Sequence, residues 1–104
     1  MMVATTDTLP GREVTEVLGI VFGSCVQTKH IGKDLRAMGR TMIGGEAKGY
    51  TELMEESRRT AMQRMIEDAE KLGADAIVGM RYATAQTMHG AAEIIAFGTA
   101  VKTH

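Results

Sequence analysis

The feature that most constrains this 104-residue chain is a long helical pattern from Glu46 to Leu72. Apolar and small side chains recur there at helical spacing and form one stripe, made of Ala47, Tyr50, Met54, Ala61, Met65 and Leu72. Gly73 follows as a C-terminal stop, since glycine adopts the left-handed conformation that often ends a helix. Three more apolar residues widen the stripe beyond what one small sheet would cover: Met62, Ile66 and Ala69. The extra width predicts a second contact, most simply with another copy of the chain.

The segments on either side of this helix show the alternation that is typical of strands. Residues 13–28 place bulky side chains on one face, namely Val14, Leu18, Ile20, Phe22 and Val26. The other face carries Val17, Gly19, Val21, Gly23 and Cys25. Further strands are predicted at 74–84 and 91–103, a short one at 3–6, a short helix at 30–43 and a turn at 87–90. A long helix across an antiparallel sheet predicts an α+β fold, a two-layer β-α-β-β sandwich in one domain, residues 1–104.

Composition narrows the class of protein. Hydrophobic residues make up 44% and charged residues 24%, as in a globular domain and not a disordered tail. The formal net charge of -1 gives no broad positive field, which argues against nucleic acid as a partner. Cys25 is the single cysteine, which excludes an internal disulfide and fits a reducing compartment, so we expect a cytoplasmic protein. No apolar run approaches the roughly 18 residues of a membrane-spanning helix, so no membrane partner is expected.

The predicted sheet has few strands and therefore exposed surfaces. Three main strands leave open edges and one poorly covered face, and such a sheet usually needs a partner or protective charges. The nine methionines suit adaptable packing surfaces. We therefore expect a homo-oligomer.

Several blocks of the sequence resemble a known family. They are Leu9-Pro10-Gly11, Leu18-Gly19-Ile20-Val21, Ile43-Gly44-Gly45-Glu46, Tyr50-Thr51-Glu52-Leu53, Leu72-Gly73-Ala74-Asp75-Ala76-Ile77-Val78-Gly79, Gly90-Ala91-Ala92-Glu93-Ile94 and Gly98-Thr99-Ala100-Val101. This pattern covers nearly the whole chain and is similar to the YbjQ family, small bacterial and archaeal proteins of unknown function. The resemblance implies a dodecin-like subunit, a ring-shaped homopentamer and heavy-metal binding, and it carries over no catalytic residues. Where relatives often have a Ser-Arg-Asn-type stretch, this chain has Thr28-Lys29-His30.

Soft ligands for a transition or heavy-metal ion are few in this chain. Thiolate and imidazole are the groups that such ions prefer, and the candidates are Cys25, His30 and His89. Their spacing matches no known metal motif, and one chain supplies too few ligands. A ring could complete a site by repeating one ligand around its axis. The competing interpretation is that Cys25 is a small buried residue, and we expect the terminal residue His104 to be frayed.

A second candidate site combines carboxylates with an arginine. Arg58 falls within the apolar stripe of the helix, where a guanidinium needs a carboxylate partner or a route to solvent. Glu93 interrupts an apolar strand and is a possible partner from the next subunit, and Glu46 belongs to the same candidate set. The main hypothesis is a non-enzymatic, homo-oligomeric binding or scaffold protein. The alternative is a small-ligand binder or enzyme with this site between subunits.

Overall fold

The computed structural model describes residues 1–27, 48–88 and 91–104. Four strands and one helix lie in these ranges: β1 (Met2–Val3), β2 (Val14–Gln27), α1 (Lys48–Lys71), β3 (Ala76–Met88) and β4 (Ala91–Thr103). The short helix expected at 30–43 lies outside the described residues. The α+β fold with one long helix across a sheet is confirmed.

The sheet is mixed, which corrects the expectation of an antiparallel one. Its strand order is β1-β3-β4-β2. β1 runs parallel to β3, whereas the pairs β3–β4 and β2–β4 are antiparallel. The expected turn at 87–90 is wrong at residues 87 and 88, because β3 continues to Met88, and its last two residues lie outside the described residues. The helix packs mainly on β2, so β3 lies at the side of the sheet that the helix barely reaches.

The buried face of α1 follows a four-residue spacing. Ser57, Ala61, Met65 and Ala69 are each at most 1% exposed. Ser57 fits there because its hydroxyl donates a hydrogen bond to the carbonyl oxygen of Leu53, 2.9 Å away. Ala69 thus lies in the core itself, not at the margin of the stripe.

The helix ends where the sequence predicts. Gly73 has φ = 74°, and its amide donates to the carbonyl oxygen of Glu70 at 3.0 Å. Ala74 donates to the carbonyl oxygen of Ala69 at 3.1 Å. The placement of Leu72 in the apolar stripe is wrong, because the chain turns there and leaves Leu72 47% exposed.

Small residues let the helix approach the sheet closely. A Cβ atom at Gly23 would overlap the carbonyl oxygen of Ala61 and the amide nitrogen of Met65. The sheet side of this contact is also small, with Ala96 and Ala100 fully buried. Such contact between backbones requires glycine at the point of closest approach.

Candidate functional site: the open face of the sheet

The sheet has one face that α1 does not cover. Cross-strand pairs place Phe22 opposite Phe97 and Ser24 opposite Ile95, with their side chains on the side away from the helix. We call this surface the open face and define it by Val17, Ile20, Phe22, Val26, Ile95 and Phe97. One helix can cover only one side of a sheet, so these residues have no protein layer above them in the described part of the chain.

Four residues of the open face are largely accessible. Exposure is 65% for Val17, 66% for Ile20, 58% for Phe22 and 49% for Val26. Together they present on the order of 400 Å² of mainly apolar surface, which is in the range where contiguous patches mark interaction sites. Ile95 and Phe97 are half-buried between them. The open face is therefore the most distinctive surface of the described residues.

The expected division of β2 into two faces needs one correction. Register shifts lie between Val14 and Glu16 and between Val17 and Gly19. Together they turn Val17 onto the open face and let Leu18 pack against the core on the helix side. The remaining assignments are confirmed: Val14, Ile20, Phe22 and Val26 share one side, and Val21, Gly23 and Cys25 share the other.

One end of the open side is covered by the segment before β2. Leu9 is 5% exposed and packs with Ala76, Val78 and Val101 in a second small core. A depression of about 530 Å³ runs from this segment to Val17. The segment before β2 thus protects part of the sheet and leaves the rest open.

The two sheet edges differ in their protection. On the outer edge of β2, the amide of Phe22 donates to Asp68 Oδ2 at 3.2 Å. The carbonyl oxygen of Ser24 accepts a hydrogen bond from Arg64 Nη1 at 2.6 Å. Charged side chains at a strand edge discourage pairing with another strand. Sequence reasoning missed this role, since nothing local marks Asp68 and Arg64 as facing a strand.

Arg58 is exposed, which corrects its placement within the apolar stripe. Ser57 takes the core position, so Arg58 lies one residue around the helix, beside a shallow groove of about 540 Å³. Arg59, Met62 and Tyr82 also line this groove. The hydroxyl of Tyr82 donates a long hydrogen bond of 3.5 Å to the backbone carbonyl oxygen of Arg58.

Glu93 lies on the other side of the sheet from Arg58. It is half-buried and stands opposite Val26 and Ala85, so its carboxylate belongs to the open-face side. The groove that holds Arg58 is on the helix side. One chain therefore does not bring these two side chains together, and their pairing between copies stays a prediction. Glu46 lies outside the described residues.

Of the three metal candidates, only Cys25 lies within the described residues. It is half-buried, forms no disulfide and packs against the core on the helix side of β2. His30 and His89 lie outside the described residues. Within the described ranges, no group of three or more histidine, cysteine, aspartate or glutamate side chains could hold a metal ion. A site at Cys25 would need ligands from elsewhere.

The chain terminus is more ordered than expected. The amide of His104 donates to the carbonyl oxygen of Glu13 at 2.9 Å, so its backbone is held and not frayed. The side chain of His104 is exposed. Among the described residues, no helix combines the length and the apolar character needed to cross a membrane.

The fold and the open face define a class: a small α+β domain with a single helix layer and one uncovered apolar sheet face. A family model described as "Putative heavy-metal-binding" matches residues 1–104, and the chain belongs to this family, YbjQ. The resemblance seen in the sequence blocks is thereby confirmed.

Similar proteins come from distant organisms. A UPF0145 protein of Vibrio campbellii is 56% identical over 102 residues, covering 98% of each chain. Those of Fervidobacterium nodosum and Methanosarcina acetivorans are 58% and 53% identical, covering 98% of this chain and 94% and 96% of theirs. A crystal structure of a protein of unknown function, of the DUF74 family, from Pediococcus pentosaceus has a TM-score of 0.66 at 16% identity. It covers 100% of this chain and 98% of its own, and shows the fold alone.

Proposed function

We propose that this protein is a non-enzymatic subunit of a homo-oligomer and acts as a binding or scaffold protein. The observation that carries the proposal is the open face, where Phe22 and Ile20 are 58% and 66% exposed and no segment of the described ranges lies above them. A second copy of the chain is available wherever the protein is made, and we propose it as the occupant of the open face. The family resemblance implies a ring of five copies, and we adopt that number.

The size of the open face suits an association surface. Burying roughly 400 Å² of apolar surface at about 25 cal/mol per Å² contributes on the order of 10 kcal/mol per copy. The loss of translational and rotational freedom on association costs roughly 4–15 kcal/mol. A standard interface buries about 800 Å² per partner, so the open face supplies about half and the polar surroundings would supply the rest.

We propose further that the oligomer binds a soft metal ion through Cys25. The family description and the half-buried thiol support this role. Because the described part of one chain holds no ligand cluster, the ion would be shared by Cys25 of several copies. His30 and His89 are the candidate additional ligands.

The alternative function is a small-ligand site between copies. It is favoured by one observation: the Glu93 carboxylate is half-buried beside the apolar side chains of the open face. Arg58 lies on the opposite side of the same subunit, so an association that brings the helix side of one copy to the open face of the next would pair them. Glu46 is the third residue of this candidate site.

Native mass spectrometry tests these proposals together, on protein purified without a metal-affinity tag or chelator. We expect a homo-oligomer of five copies that carries a reproducible metal mass. A monomer at micromolar concentration would overturn the proposed function. An oligomer that takes up no mass from added Zn²⁺, Cu⁺ or Cd²⁺ would overturn the metal proposal alone.

Matched variants separate the two ligand hypotheses. A metal site should lose its bound mass in Cys25→Ser and keep it in Arg58→Ala. A carboxylate–arginine site should keep an added dicarboxylate probe in Cys25→Ser and lose it in Arg58→Ala. If both variants match the parent protein in every measurement, both ligand hypotheses are wrong and the scaffold role stands.

A further inference from the structure

We propose that each copy in the ring seats its open face on the helix side of the next copy, with Glu93 of one paired to Arg58 of the other. The receiving surface is the groove of about 540 Å³ beside α1, which we call the helix groove. It is lined by Glu55, Arg58, Arg59, Met62, Gln63 and Tyr82. The inference rests on the proposed homo-oligomer and specifies which two surfaces meet.

A ring of five copies requires two different contact surfaces on each copy. A patch that pairs with itself joins two copies about a two-fold axis, whereas a patch that meets a different patch can repeat around a ring. In the proposed ring, the open face of one copy therefore meets a different surface of the next copy. The helix groove lies on the opposite side of the sheet from the open face, so the contact can repeat from copy to copy.

The helix side carries the apolar surface that such a contact needs. Tyr82 is 42% exposed there, because the helix lies over β2 and scarcely reaches β3. Met62 and Ile66 are half-buried at the margin of the core, and Met62 lines the groove beside Tyr82. The extra apolar width of the helix, from which the sequence predicts a second contact, is thus still partly accessible in the single chain.

Charge favours the same pairing. Glu93 is half-buried beside the apolar side chains of the open face, opposite Val26. A covering layer would bury its carboxylate further, and a buried carboxylate needs a cation or hydrogen-bond donors. The helix groove offers two guanidinium groups, Arg58 and Arg59, against the single carboxylate of Glu55. The positive groove and the acidic end of the open face are therefore complementary.

Two other arginines near these surfaces are held by backbone groups of their own chain. Arg81 lies on the open-face side, and its Nη1 donates to the carbonyl oxygens of Thr5 and Met80 at 2.8 Å each. Arg64 Nη1 donates to the carbonyl oxygen of Ser24 at 2.6 Å. The arginines that line the helix groove are consequently the ones offered to a partner.

The spacing of side chains along the two elements gives a register. The open-face row of β4 repeats at every second residue, about 6.6 Å, and consists of Glu93, Ile95 and Phe97. The flank of α1 repeats once per helical turn, about 6 Å, and consists of Arg58, Met62 and Ile66. A contact that pairs Glu93 with Arg58 therefore sets two apolar pairs beside it, Ile95 with Met62 and Phe97 with Ile66.

Complementation between two weakened copies tests whether different surfaces meet. Phe22→Ser weakens the open face and Tyr82→Ser the helix groove. Each should raise the dissociation constant by roughly tenfold or more. Leu72→Ser is the matched control, because Leu72 has a similar exposure of 47% and lies at the far end of the helix. At a concentration where Phe22→Ser and Tyr82→Ser are each monomeric, their mixture should form heterodimers in native mass spectrometry. The intact open face of one then meets the intact groove of the other.

Charge reversal tests the ion pair. Glu93→Arg sets guanidinium groups against each other and should weaken association by roughly tenfold or more at low salt, as should Arg58→Glu. The double variant with both changes should return to within about threefold of the parent protein, because it restores opposite charges. Glu70→Arg, on the exposed face of the helix, is the control and should associate like the parent. Sedimentation equilibrium measures all four.

The outcomes separate this inference from the proposed function. If Tyr82→Ser associates like the parent protein while Phe22→Ser does not, the open face meets some other surface and the inference is wrong, whereas the homo-oligomer stands. A mixture without heterodimers, or a double variant as weak as its single variants, has the same consequence. A monomeric parent protein overturns both.

Discussion

The substitution Phe22→Ser tests whether the open face is covered by another copy. Phe22 is 58% exposed in the single chain, so of about 200 Å² for a phenylalanine roughly 115 Å² would become buried on association. At about 25 cal/mol per Å² the loss is about 3 kcal/mol. This corresponds to a dissociation constant roughly a hundredfold larger.

Sedimentation equilibrium over a range of concentrations measures this change. Leu72→Ser is the matched control, since Leu72 is 47% exposed at the end of the helix and away from the open face. We expect Leu72→Ser to associate like the parent protein. If Phe22→Ser and Leu72→Ser dissociate alike, the open face is simply solvated and the reasoning from apolar exposure is wrong.

Three further predictions concern the helix contact, the strand edge and the metal. Gly23→Ala places a Cβ on the backbone of Ala61 and Met65 and should destabilise the fold by about 3 kcal/mol in urea unfolding. Gly98→Ala should cost less, about 2 kcal/mol, since its nearest contact is a side-chain atom, Cγ2 of the buried Ile77 at 2.7 Å, and the backbone of Val78 is no nearer than 3.2 Å; equal losses would contradict this reasoning. Asp68→Ala leaves the Phe22 amide without its acceptor, so light scattering should reveal concentration-dependent self-association through β2 that Glu70→Ala does not produce. Cys25→Ser should abolish Cd²⁺ binding measured by calorimetry. Binding by the parent protein should weaken as the pH is lowered, because the metal binds the deprotonated thiolate. An affinity that Cys25→Ser leaves unchanged would exclude the thiol as a ligand.

The long helix could be predicted because its signals are local. Apolar spacing from Met54 to Met65 and the stop at Gly73 depend only on neighbouring residues, and the structure confirms them. The buried serine was not predicted, because a polar residue breaks the apolar pattern. Its hydroxyl donates a hydrogen bond to the carbonyl oxygen of Leu53 in the same helix, and hydropathy does not detect that contact.

The faces of β2 could be predicted only up to the register shift. Strict alternation assigns Val17 and Leu18 to the wrong sides, since register shifts between Val14 and Glu16 and between Val17 and Gly19 reverse the faces of these two residues. Gly19, with φ = 140°, was the available signal. The same limit applies to Arg58. The apolar spacing of the helix does not decide whether Ser57 or Arg58 faces the sheet.

The candidate site depends on contacts between segments distant in sequence. Asp68 and Arg64 protect β2 across 46 and 40 residues of chain. Their spacing in the helix is typical of an ordinary exposed face. The oligomer was predicted from the open sheet, but which surfaces remain exposed follows only from the strand order.

The division of side chains between the two faces of the sheet links folding to association. The helix approaches so closely that a Cβ at Gly23 would overlap its backbone, and Ala96 and Ala100 lie fully buried on the same face of the sheet. Phe22 and Ile20, which flank this close contact on β2, lie on the other face of the sheet. A single chain thus leaves Phe22 and Ile20 at 58% and 66% exposure, available to a second layer. Because the second layer in our proposal is another copy, we expect the free energy of unfolding to rise with protein concentration.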